Sequence, residues 1–165
     1  MQTFLPYPDF AKSVATLDYK RKGKQRVENL QLIKALKNNG GLHGGWSRHP
    51  ASRMWEGYLL ALLEYQEAVC KNWTETLGFK DTCWVKSLSF FTEEELLDYV
   101  NGNYAYPSWL GDPDFHLAHQ SNLRNKFPEY YVPQFPDAPD GLPYIWPGAP
   151  LEEAKLRDPA VLSKP

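Results

Sequence analysis

A chain of 165 residues with 42% apolar and 23% charged side chains can bury the core of one domain and is too apolar to stay unfolded along its length. Its net charge of −2 hides a division: residues 1–53 hold ten Lys and Arg against three acids, whereas the remainder holds eight against seventeen. That asymmetry suits the N-terminal third to an anionic partner, nucleic acid foremost, unless the two halves simply pair with each other.

In chain order, "TFLPYPDF" reads as extended, because Pro6 and Pro8 push the residues before them away from helix. A short helix is expected over roughly residues 9–20, with Gly23 as an interruption. From about Lys24 the residues Val27, Leu30, Ile33 and Leu36 recur at helical spacing, and "NNGG" (Asn38–Gly41) ends the run with residues that accept a left-handed cap. A glycine-rich loop, "GGLHGGWSRHP", leads to Pro50, which suits a first helical position. Met54, Trp55, Tyr58, Leu62, Tyr65, Val69, Trp73 and Leu77 then step by threes and fours, which predicts one long central helix to about Gly78. Cys70 and Cys83 form no metal-spaced or redox motif, so free thiols in a reducing, cytoplasmic compartment are expected. Thr92 with Glu95 is a capping box before a short amphipathic helix. Asp112 and Pro113 open another helix, expected to run to about Lys126 and to stop before Pro128.

Residues 128–150 are rich in proline and aromatic rings and read as extended chain, packed on the helices by Tyr144 and Trp146. The expectation is an all-α fold: a single compact helical domain over residues 1–150 built around one long helix, with a polar tail at 151–165. No apolar run approaches a membrane span, and "MQTFLPYPDF" lacks the pattern of a secretion signal.

Three groups of residues are candidates for chemistry. Lys20, Arg21, Lys22, Lys24 and Arg26 fall within seven positions and can hold phosphates without reading a base sequence. Glu28 follows them at the edge of the apolar helix face, where it can meet both solvent and neighbouring loops. In "GGWSRHP", Arg48 and His49 supply donors and Trp46 supplies a ring, a combination suited to phosphate and a planar base. His116 and His119 share a helical face and, with His43 or His49, have the donor type for a metal, but no HExxH motif or Cys pair accompanies them and no metal is assigned. His119, Gln120, Asn122 and Arg124 equally form a polar face for a ligand.

"KQRVENLQLIKAL" followed by "GGWSRHPASRMWEGYLLALLEYQEAVCKNWTETLGF" resembles the pyrimidine-dimer DNA glycosylase/AP lyase family of endonuclease V type, over roughly residues 1–132. The shared order is an acid on an early helix, a glycine–aromatic–His–Pro loop, a long aromatic helix and an aromatic "EYY" segment. The whole chain also resembles a little-characterised bacterial and phage branch. The resemblance implies a DNA repair glycosylase with AP lyase activity on double-stranded DNA. It needs neither metal nor organic cofactor, and works through a Schiff base on the chain's own α-amine. An α-amine ordinarily loses its proton near pH 8, about where a useful neutral fraction exists at neutrality. It implies Met1 and Glu28 as catalytic residues, since the bulk of Gln2 opposes removal of Met1. It also implies DNA contacts from Arg21, Lys22, Lys24, Arg26, Trp46, Arg48, His49, His119 and Arg124.

This chain departs from the family pattern at one telling place. Val27 stands where an arginine precedes the acid, and Arg26 lies one position earlier, about 100° around the helix. Two other readings stay open from the residues. One is a non-catalytic module that binds DNA, a nucleotide or a protein on the same scaffold. The other is an enzyme using His49, His116 and His119 on a nucleotide or phosphorylated substrate.

Overall fold

The computed structural model describes residues 1–38 and 49–148. All regular structure among them is helical: α1 (Phe10–Thr16), α2 (Tyr19–Lys37), α3 (Pro50–Trp55), α4 (Leu59–Lys71), α5 (Cys83–Leu88), α6 (Glu93–Val100), α7 (Pro113–Lys126) and α8 (Pro128–Gln134). A π-helical turn, Asn72–Thr76, extends α4. No helix among the described residues is long and apolar enough to cross a membrane. The tail at 151–165 lies outside the described residues.

The helix starts follow from side-chain capping. Asp9 accepts the Lys12 N–H at 2.8 Å, Thr92 and Glu95 complete the expected capping box, and Asp112 caps α7 ahead of Pro113. Asp18 sets a boundary that hydrophobic spacing does not reveal. Its carboxylate caps Tyr19–Lys37, so the expected helix over 9–20 stops at Thr16 and the next one begins before the basic string. Gly23 consequently lies inside α2. A Cβ there would stand 2.9 Å from the Trp73 ring, so glycine is required for close approach and breaks nothing.

The long helix expected through Leu77 is two helices. The chain turns at Glu56–Tyr58, where Gly57 takes φ +85°, a conformation that other residues resist. Residues 128–134, expected as extended chain, form α8 despite Pro133; among the described residues beyond Phe135 there is no helix.

Two apolar clusters organise these helices. In the larger, Leu32, Ile33 and Leu36 of α2 pack with Leu62, Leu63, Tyr65 and Val69 of α4, joined by Trp55, Trp109 and Phe115. The smaller holds Leu17, Leu123, Tyr131, Phe135 and Ala138 around α7 and α8. The N-terminal arm, residues 1–9, is inserted between them: Leu5 belongs to the first and Phe4 to the second.

Candidate active site

The arm has no strand to pair with, yet its backbone groups are bonded. Side chains replace the missing strand. Gln25 accepts the Phe4 N–H at 3.0 Å and donates to the Gln2 carbonyl at 2.8 Å. The Tyr65 hydroxyl donates to the Phe4 carbonyl at 2.6 Å, and Gln120 donates to the Pro6 carbonyl at 2.9 Å. The Trp55 indole N–H reaches Thr3 Oγ1 at 3.0 Å. Buried amides require such partners, so the arm's register is set residue by residue.

Two histidines finish the clamp. Leu5 N–H donates to His119 Nδ1 at 2.9 Å, and Gly111 N–H donates to His116 Nε2 at 2.9 Å. Both acceptors must be bare, so the His116 proton sits on Nδ1 and donates to the Leu5 carbonyl at 2.8 Å. Both rings are neutral. Burial lowers the His116 pKa, and burial followed by the neighbouring His116 lowers that of His119 to about 3.

This clamp brings the chain start to Glu28. Gln2 N–H donates to Glu28 Oε2 at 3.2 Å, and Lys24 Nζ lies 3.7 Å from Oε1. Met1 and Glu28 together line a cleft of about 450 Å³, a size that accepts a small ligand or one nucleotide. The cationic lining comes from Lys20, Arg21 and Lys24 on α2 and from Lys126 at the end of α7. Cations in the first turns of a helix oppose its dipole, and an anion held outside would relieve that opposition. Arg21 also pairs with Asp18 at 3.0 Å. Phe4, Tyr144 and Trp146 supply aromatic surface.

The residues expected to contact DNA divide into those at this cleft and those committed elsewhere. Arg21 and Lys24 are at it. Lys22 faces inward from α2 and is 7% exposed, with burial lowering its ammonium pKa. Arg26 turns toward α5, forms an ion pair with Asp81 and lies over the Trp73 ring, 4.6 Å from its centroid. Asp81 in turn caps α5 through the N–H groups of Cys83 and Trp84. Arg26 therefore braces α2 against α5 and is absent from the cleft lining.

His119, expected at the DNA surface, is fully buried beside Leu5, where it holds the arm. Arg124 binds Asp140 at 3.0 Å and the Phe135 carbonyl at 2.6 Å, which ties the C-terminal chain to α7. His49 caps α3 by accepting the Ala51 N–H at 3.0 Å, and its ring meets Trp146 edge-on with centroids 5.7 Å apart. Trp46, Arg48 and His43 lie outside the described residues. Among the described residues, no group of three or more His, Cys, Asp or Glu is arranged to hold a metal ion.

Lys126, Phe4 and Gln25 line the cleft without having been singled out by the sequence. Lys20 is part of the basic string and carried a signal. Lys126 and Phe4 did not, because nothing local announces that the end of α7 and the arm will meet: Lys126 Nζ lies 5.9 Å from the Phe4 ring centroid.

A family model described as pyrimidine dimer DNA glycosylase matches residues 1–87. No curated protein and no solved structure matches the chain. The matched segment holds the arm, α2 with Glu28, and α4. Lys126, Tyr144 and Trp146 reach the cleft from beyond it.

Proposed function

The chain belongs to the pyrimidine dimer DNA glycosylase family, a family of DNA-repair glycosylases, and from that premise we propose that it is a glycosylase with AP lyase activity on double-stranded DNA. Met1 supplies the nucleophile and Glu28 the assisting carboxylate. The observation that carries this reading is the contact between the first peptide and the acid: Gln2 N–H on Glu28 Oε2, in a cleft lined by Met1 and four cations.

The chemistry follows from that contact. The neutral Met1 amine attacks C1′ of the target nucleotide. The glycosidic bond breaks, and the base leaves with the bonding pair and takes up a proton. Loss of one amine proton to Glu28 leaves an N-glycoside; its C1′–O4′ bond then breaks, O4′ takes up the proton from Glu28 as the sugar ring opens, and the resulting iminium acidifies C2′–H. A carboxylate at this position can remove that proton, and the C3′–O bond then breaks with the phosphate as leaving group. Water releases the cleaved sugar and restores the amine. The sequence needs neither a metal nor an organic cofactor. Lys20, Arg21, Lys24 and Lys126 hold phosphates while the duplex deforms enough for the amine to reach C1′.

The test is borohydride trapping on abasic-site duplex DNA, with mass spectrometry of the N-terminal peptide. The expected adduct is on Met1. It disappears when the amine is acetylated, and it forms at least about 100-fold more slowly in Glu28→Gln, the usual scale for losing an acid–base group. An adduct on Gln2 would reassign the nucleophile to the residue uncovered by Met1 loss, whose nitrogen already stands 3.2 Å from Glu28. Salt-sensitive duplex binding without any adduct would replace the enzyme by a DNA-binding module.

A further inference from the structure

The cleft lining is of two chemical kinds. From α2 come Lys20, Arg21, Lys24 and Glu28, which suit sugar and phosphate. The lining also carries rings, and Tyr144 and Trp146 come from a segment outside the family match. This segment is a strap. Leu142, Tyr144 and Trp146 are half-buried against the body, while Gly141, Pro143 and Ile145 between them are exposed. Such period-two alternation is what extended chain produces when one side is turned inward.

The strap is fastened at both ends. Leu142 N–H donates to Ser121 Oγ at 3.0 Å, and Asn122 donates to the Leu142 carbonyl at 3.0 Å. Gly148, at φ +81°, lies so close to α3 that a Cβ would stand 3.1 Å from the Arg53 carbonyl oxygen. Between these anchors the rings are backed by other rings. Tyr144 meets His119 with centroids 5.9 Å apart and Phe4 at 6.5 Å; Trp146 meets Tyr144 at 5.5 Å and His49 at 5.7 Å. Rings held from behind and lining an open cleft form a rigid stacking surface. Phe4, the remaining ring of the lining, is 9% exposed and offers little face of its own.

We propose that Tyr144 and Trp146 form the wall against which an extruded nucleobase stacks, so that base engagement comes from the strap while the matched segment supplies the sugar chemistry. This inference rests on the glycosylase reading above and names its substrate class: a nucleotide whose base is weakly paired and easily taken out of the helix. A ring face recognises another ring face and does not read hydrogen-bonding edges, so it is tolerant of base identity. Selection then falls on how readily the base leaves the stack.

Two duplexes of identical sequence test this with the full chain. One carries 2-aminopurine opposite cytosine; the other carries a tetrahydrofuran abasic analogue at that site. Tyr144→Ala and Trp146→Ala are each expected to weaken binding of the first about tenfold and to leave binding of the second within about twofold, with Trp146→Phe restoring most of the loss. Equal weakening on both duplexes, or on neither, overturns the wall. The parent reading is judged separately on natural abasic-site DNA. A wild-type borohydride adduct with no discrimination between the duplexes refutes the wall alone. Discrimination without an adduct refutes the lyase chemistry alone, and failure of the wild type to bind either duplex refutes both.

Discussion

Gln25 is where a single side chain holds most of the candidate site's geometry. It is 2% exposed, and its amide bonds the Gln2 carbonyl, the Phe4 N–H and Asn29 Oδ1 together. Removing it leaves two arm groups buried without partners, each costing about 1–3 kcal/mol. Gln25→Ala is therefore expected to lower unfolding free energy by about 2–6 kcal/mol, measured by urea denaturation. Because it also frees Gln2, borohydride trapping should fall well below the loss expected from the unfolded fraction. Little at position 25 in the sequence announces this. A glutamine among cations reads as one more solvated side chain, and only the arm lying across it turns it into a bracket. Glu28 came from the family resemblance more than from the helical pattern: Val27, expected on the core face, is 41% exposed, and the buried positions on either side of Glu28 are Gln25 and Asn29.

At the scale of elements, the arm and α7 act as one unit joined by two neutral rings. His116 and His119 both have pKa values lowered by burial, so the unfolded chain binds more protons than the folded one once the pH falls below the ordinary value of 6.5. Stability is thus fully present above about pH 6.5 and declines as the pH drops toward about 3, by at most about 1.4 kcal/mol per unit for each ring. Denaturation midpoints at pH 7.5 and pH 5 should show this loss, and His119→Gln should flatten it. The paired histidines looked from the sequence like ligands because spacing reveals a shared face and not what that face meets. The same limit explains Gly23 and Gly57. The sequence marks Gly23 as an interruption and runs a helix through Gly57, yet the first admits the Trp73 ring inside α2 and the second turns the chain between α3 and α4. Caps were legible, since Thr92 with Glu95 and Asp112 with Pro113 act within one turn.

For the whole molecule, the charge division seen in the sequence is only partly retained at the cleft. The described cleft keeps Lys20, Arg21, Lys24 and Lys126, while Arg26 and Arg124 are spent on internal ion pairs with Asp81 and Asp140. With four phosphate contacts, the logarithm of duplex affinity should fall against the logarithm of salt with a slope of about −3.6, and Lys126→Ala should reduce that slope by about one. Fluorescence anisotropy over a salt series checks both numbers. All-helical architecture was readable from periodicity; the convergence of both chain thirds on one cleft was not, because it depends on contacts between residues more than a hundred positions apart. Those contacts also impose an order in time. The arm is made before α7 but finds His116, His119 and Gln120 only once α7 has followed. A nascent chain halted before Pro113 would hold the arm through Gln25, Trp55 and Tyr65 alone, without the two histidines and Gln120 that complete the clamp.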